Sequence, residues 1–172
     1  MPITYVDGDA MSPQAVGNKI IAHVCNDEGK WGKGFVLAVS KKYPQVEAAY
    51  RQLYAAPSHP KLGHVQLVEV QSSPEKIFVA NMIAQRGVKK MKDGTAEGCP
   101  PLRYPALYSC LEEVVKMALA NNATIHAPRI GAGLAGGDWR LVEAVLKVLE
   151  AKSSANITIY NFKDAVVDEE II

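Results

Sequence analysis

The stretch that most constrains this chain runs from Thr124 to Trp139, where an apolar segment opens directly into a loop with glycine at 131, 133, 136 and 137. Four glycines within seven residues let successive backbone N–H groups turn toward one point and admit a ligand at close range. A periodic segment follows, with Leu141, Val142, Val145, Leu146 and Leu149 along one helical face. A helix starting there adds unpaired N–H groups and a partial positive charge. Strand, glycine loop and helix in that order suit a phosphate or pyrophosphate. The spacing fits neither the Walker pattern, because no Gly-Lys-Ser/Thr follows, nor the G-x-G-x-x-G dinucleotide fingerprint. Taken alone, the stretch supports an anion cradle and a structural turn equally.

The same alternation recurs along the chain. Ile3–Val6 reads as a short strand leading into Asp7-Gly8-Asp9. Lys19–Val24 reads as a strand buried on both faces, opening into a loop, Cys25–Phe35, that carries Gly29, Gly32 and Gly34. Helices are expected over Gly34–Tyr43 and Gln45–Tyr54, divided by Pro44, and over Tyr104–Asn121, whose Leu107, Leu111, Val114, Val115 and Ala118 share a face. His64–Val70 alternates apolar with polar residues, the pattern of a strand open on one side, and Ile77–Ala80, Thr124–Ala127 and Asn156–Tyr160 complete the strands. From Asn81 to Arg103 no period holds, and a loop of that length is functional or disordered. Alternating strands and helices predict a three-layer α/β/α sandwich around a central mixed, mostly parallel sheet of about six strands.

At 172 residues the chain is expected to form one domain over 1–172, with an ordered core of about 3–162 and an acidic C-terminal tail from Asp164. A formal net charge of +1 excludes indiscriminate nucleic-acid binding through a charged surface. Cys25, Cys99 and Cys110 form no CxxC pair, and their odd number argues against a disulfide framework. No apolar run approaches the ~18 residues of a membrane span and no signal peptide is evident, so the expected location is cytoplasmic, without a membrane partner. His59 and His64 flank Pro60 and Gly63 rather than sharing a helix face, and no metal is expected. With no interface-sized apolar stripe, the chain is expected to be a monomer.

Gly8-Asp9 after the first strand, His23-Val24-Cys25-Asn26 leading to Trp31-Gly32-Lys33-Gly34, and Pro128-Arg129-Ile130-Gly131-Ala132-Gly133-Leu134 together resemble the macrodomain family, whose members bind ADP-ribose. The run Cys25–Tyr50, with Lys42-Tyr43-Pro44, is most similar to the small single-domain branch, which includes ADP-ribose 1''-phosphate phosphatases and terminal ADP-ribose protein glycohydrolases. The resemblance extends from Ile3 to Phe162. It implies binding of ADP-ribose or a derivative, ADP-ribosylated protein as a further partner, and no cofactor. It also implies hydrolysis of a 1''-linked group, with a non-catalytic reader of ADP-ribose as the alternative. Sequence-specific nucleic acid is not implied.

Carried over by position, the resemblance makes Asp9 an acceptor for the adenine amino group, where the plain alternative is a turn-stabilising aspartate. Asn26 falls near the distal ribose, or caps its own loop. Gly32 and Gly34 resemble the first phosphate loop, with Lys33 between them either touching ligand or solvated. Trp31 lines the distal-ribose side or covers the sheet edge. Gly131–Gly137 resembles the second phosphate loop, binding through the N–H groups of Ala132, Gly133, Leu134 and Ala135. Phe162 stacks on adenine or plugs the core.

Catalysis is less determined. The glycohydrolase branch uses a lysine and an aspartate. The aspartate's position is Ala135 here, and the strand end Asn81–Gln85 holds no lysine, leaving Lys89 and Lys90 on the following loop. The catalytic candidates are Asn26, His23 and Asp138. Asn26 with backbone N–H groups can orient a water for phosphatase chemistry. His23 is a base or a hydrogen-bonded core residue, and Asp138 a catalytic carboxylate or the N-cap of the next helix.

Overall fold

The apolar run that begins at Lys19 sits inside a six-stranded sheet, as an almost unbroken hydrophobic strand requires. The computed structural model describes residues 3–32, 34–87, 101–131 and 137–162. In chain order the elements are β1 (Thr4–Asp7), β2 (Asn18–Asn26), α1 (Phe35–Lys42), α2 (Pro44–Ala55), β3 (Val65–Gln71), β4 (Ile77–Gln85), α3 (Tyr104–Ala120), β5 (Ala123–Pro128), α4 (Trp139–Lys152) and β6 (Ile157–Asn161). The strand order is β1-β6-β5-β2-β4-β3, and every neighbouring pair is parallel except β3 with β4. The expected α/β/α sandwich is thus formed, and the alternating segment β3 is its antiparallel edge. The acidic tail from Asp164 lies outside the described residues, within which no helix is long and apolar enough to cross a membrane.

Successive side chains of a strand point to opposite faces, so β2 supplies two cores. Ile20 and Ala22 join Ile125, Ala127, Ile157 and Ile159 beneath Leu107 and Leu111 of α3 and Val142 and Leu146 of α4. Ile21 and Cys25 join Val79 and Ile83 beneath Val39 of α1 and Val46 and Tyr50 of α2. Each fully buried aliphatic side chain contributes about 1.5–3 kcal/mol relative to exposure. A residue pair on β2 therefore anchors both helical layers at once.

Two strands run further than the sequence pattern indicates. β2 continues through Cys25 and Asn26, and β4 through Asn81 to Gln85, both assigned from sequence to irregular segments. The ladder explains the extension. It pairs His23 with Asn81, Cys25 with Ile83 and Asn26 with Gln85, so polar residues that break each apolar run face one another. His23 Nε2 lies 2.6 Å from Asn81 Oδ1, while Asn81 Nδ2 donates to Gln66 Oε1 on β3. That second bond fixes the amide with its oxygen toward the imidazole, so Nε2 carries the histidine's proton.

Two buried histidines make the fold sensitive to acid. His23 is 1% exposed, and burial lowers its pKa to about 4. His126 is held between Thr124 Oγ1 and Tyr160 Oη, and burial, assisted by the charge of Lys19, also lowers its pKa to about 4. Both rings are neutral in the fold but protonate near pH 6.5 in the unfolded chain. Between those values the unfolded state binds more protons, so stability is complete above about pH 6.5 and is lost as pH falls toward 4. Urea denaturation is expected to give an unfolding free energy roughly 2–5 kcal/mol lower at pH 4.5 than at pH 7. His126→Gln should flatten that dependence.

Candidate functional site

Because β1, β6, β5, β2 and β4 run parallel, their C-terminal ends share one edge of the sheet. The ladder between β2 and β5 spans only Asn18↔Ala123 to Ile21↔His126, while β2 continues to Asn26. Beyond it the chain leaves the two strands toward opposite faces, since α1 packs in one core and α4 in the other. Such a reversal of strand order leaves a crevice outside the strand ends. Asp9, Asn26, Trp31, Gly32, Gly34, Gly131, Asp138 and Phe162 all follow strand ends at this edge. Lys33, Ala132, Gly133, Leu134 and Ala135 lie outside the described residues, as do Lys89 and Lys90.

The loop after β2 is shaped by Asn26. Its Oδ1 accepts from the N–H groups of Glu28 at 2.9 Å and Lys30 at 3.2 Å and from Tyr50 Oη at 2.9 Å. Its Nδ2 donates to Lys30 O at 2.6 Å, leaving one amide hydrogen uncommitted among the described residues. Tyr50 also lies 2.7 Å from Asn26 O, so α2 clamps the start of the loop. Asp27 ties it to β4: its N–H donates to Gln85 O at 2.9 Å and its Oδ1 accepts from Gly87 N at 2.7 Å. Gly34, at φ 86°, turns the chain into α1, and no side chain caps that helix. Leu37 N turns back to Gly34 O at 3.1 Å, and the start of α1 carries the partial positive charge of a helix N-terminus at this edge. Gly32 is exposed, and a Cβ there would meet no atom within 4 Å.

The loop after β5 is closed at its neck by a hydrogen bond from Gly137 N to Gly131 O at 2.7 Å. Asp138 then caps α4, its Oδ1 accepting from Arg140 N at 3.0 Å and its Oδ2 paired with the Arg140 guanidinium. Those bonds, the side-chain one foremost, hold its carboxyl below the usual range. Arg129 lies over the rings of Trp139 and Tyr5 and donates through Nε to Asn161 Oδ1 at 2.9 Å, fastening β5 to β6.

At the far end, Asp9 Oδ1 accepts from Met11 N at 2.9 Å, a turn contact that leaves Oδ2 available. Asp9 borders a cleft of about 480 Å³ lined also by Gly8, Ser12, His126, Thr158 and Tyr160. Phe162 is 45% exposed rather than embedded in a core. His23 and Trp31 are both buried, their ring centroids 5.7 Å apart in an edge arrangement, and Trp31 also packs against Tyr50. His23 thus occupies a core position, neutral and hydrogen-bonded across the sheet. Among the described residues no cluster of His, Cys, Asp or Glu is placed to hold a metal.

Comparison with known proteins agrees with this architecture. The chain is 46% identical to a Bacteroides thetaiotaomicron protein of unknown function, with a TM-score of 0.82 and coverage of 93% of this chain and 98% of the other. It is 44% identical to a macrodomain protein from Streptomyces coelicolor, with a TM-score of 0.77 and coverage of 93% and 99%. Among curated proteins, the ADP-ribose 1''-phosphate phosphatase of Lodderomyces elongisporus is 26% identical over 161 residues, 88% of this chain and 94% of the relative. No protein-family model matches the chain.

Reading from sequence passed over Asp27, inside the first loop, and Tyr50, Leu102 and Tyr104, which shape the loops from outside. Leu102 had one signal: it stands just before the Arg103 N-cap of α3, five residues ahead of Leu107, the spacing of a hydrophobic staple. Tyr50 lay within an amphipathic helix and carried none. Its hydroxyl serves two atoms of Asn26, and deleting it leaves a buried carbonyl short of a partner. Tyr50→Phe is expected to lower the unfolding free energy by about 1–2 kcal/mol, measured by urea denaturation at pH 7.

Proposed function

Because the chain belongs to the macrodomain family, we propose that it binds ADP-ribose along the sheet edge and hydrolyses a group linked at the 1'' position. That group is either the phosphate of ADP-ribose 1''-phosphate or an acyl-linked protein side chain. The observation that carries this reading is the pair of glycine loops leaving β2 and β5 on either side of the strand-order reversal, one ending at the uncapped N-terminus of α1. In this reading a diphosphate lies between them, held by backbone N–H groups; charge-assisted bonds of that kind contribute about 1.5–3 kcal/mol each. Gly32 supports the placement. Neither a positive φ nor a crowding neighbour demands glycine there, and the open space admits a closely approaching ligand.

In this reading Oδ2 of Asp9 accepts from the adenine amino group, and Phe162, exposed just after β6, stacks on the base. The uncommitted Nδ2 hydrogen of Asn26 meets a distal-ribose hydroxyl and orients the attacking water. Gly131 and the N–H groups of Ala132, Gly133, Leu134 and Ala135 form the second half of the cradle, with Lys33 beside the first. The 1''-phosphatase relative supports phosphate as the leaving group. A reader without turnover is the second reading. It is favoured by three observations: Asp138 is engaged by Arg140, His23 is neutral in the core, and Ala135 stands where the glycohydrolases have an aspartate.

Calorimetric titration is expected to give heat with ADP-ribose and much less with AMP or ATP; absence of heat with ADP-ribose would refute the placement. Gly133→Glu should abolish binding, because a bulky uncompensated carboxylate then faces the diphosphate. Release of inorganic phosphate from ADP-ribose 1''-phosphate, or of ADP-ribose from glutamate-modified protein, separates eraser from reader. Asp138→Ala should lower the melting temperature and leave turnover in place; lost turnover at unchanged stability would make Asp138 catalytic instead.

A further inference from the structure

The glycine loop after β5 rests on residues that arrive from the end of β4. We propose that Leu102 and Tyr104 are positioning residues that set the neck of this loop, and through it the grip on a diphosphate; the inference rests on the function proposed above.

Leu102 is 3% exposed and forms an isolated antiparallel bridge with Gln85. The bridge is flanked by hydrogen bonds from Arg86 N to Pro101 O at 2.8 Å and from Arg103 N to Ala84 O at 2.9 Å, which lock its backbone to β4. Its side chain fills the neck. A Cβ on Gly131 would approach Leu102 Cδ2 to 2.7 Å, and one on Gly137 to 2.5 Å. The two glycines that close the loop are thus shaped around one leucine. Gly131 carries the further constraint of φ 70°, open to glycine alone at little cost. Immediately after the neck, Asp138 N donates to Tyr104 Oη at 2.8 Å, so the first residue beyond the loop is pinned to the same segment.

The same end of β4 also holds the first loop. Gln85 and Gly87 hold Asp27 in the first loop, and Leu102 and Tyr104 hold the neck of the second. One strand end therefore fixes how far apart the two loops stand. A diphosphate gripped from both sides senses that spacing; a nucleoside without phosphates does not.

The test titrates wild type, Leu102→Ala, Leu102→Met and Tyr104→Phe with ADP-ribose by calorimetry and with adenosine by NMR, and follows amide exchange at Gly137. Leu102→Ala should weaken ADP-ribose binding about tenfold or more, and Tyr104→Phe about three- to tenfold. Leu102→Met, which keeps the volume, should stay within about threefold of wild type. Adenosine affinity should remain within about twofold throughout. In Leu102→Ala, exchange at Gly137 should rise relative to Ile125, whose N–H donates within the sheet to Asn156 O.

Unchanged ADP-ribose affinity in both Leu102→Ala and Tyr104→Phe overturns the proposal, and so does an equal loss for adenosine and ADP-ribose. If Leu102→Ala does not fold, Tyr104→Phe decides by the same pair of ligands. If wild type takes up no ADP-ribose, the function proposed above fails, and the positioning role is judged on Gly137 exchange in the same variants. Exchange unchanged relative to Ile125 then overturns it.

Discussion

The site depends on β2 being hidden on both faces. A strand reading Lys-Ile-Ile-Ala-His-Val-Cys has no polar face to offer water, so helices must cover it above and below. Covering it from both sides forces the connections after β2 and after β5 onto opposite layers, with Val39 and Val46 in one core and Val142 and Leu146 in the other. The crevice at the sheet edge follows from that divergence. It is a consequence of burial before it is a feature of function. The one expensive group within the strand, His23, is accommodated by its bond to Asn81 and by remaining neutral.

The glycines around the crevice answer to different physical demands. Gly34 and Gly131 hold positive φ values that turn the chain. Gly137 lacks a side chain because Leu102 and the Gly131 carbonyl occupy the space one would need. Gly32 answers to neither demand, since a Cβ there would meet no atom within 4 Å. A glycine-rich sequence read as a single motif merges these roles, and only the neighbours separate them.

This separation marks what the sequence made legible. Periodicity located every strand and helix described, because burial of one face writes itself into spacing: Leu107, Leu111 and Val114 announced α3, and the alternation over His64–Val70 announced an edge strand. The ends of β2 and β4 were not legible, since His23 and Asn81 look like breaks until each is seen to be the other's partner. The same holds for the loops. Gly131 and Asp138 were visible as a glycine turn and a helix cap, whereas Leu102 lies 29 positions before Gly131 and carries no local sign of what it touches. Contacts between segments distant in sequence leave no period to read.

The chemistry of the edge follows from how its polar groups are already spent. Asn26 gives its oxygen to two backbone N–H groups and a tyrosine hydroxyl, and Asp138 gives its carboxylate to Arg140 and a helix terminus. These bonds fix the start of the loop after β2 and the start of α4. The first turn of α1, by contrast, has no side-chain cap on its N–H groups. Backbone donors held by a buried scaffold bind an anion without the rotamer entropy that a lysine would lose. A fold that fixes its loops through Asn26, Tyr50, Asp27 and Leu102 therefore invests these side chains in geometry, and the uncapped N–H groups of α1 are donors of the kind an anion takes without that entropy cost.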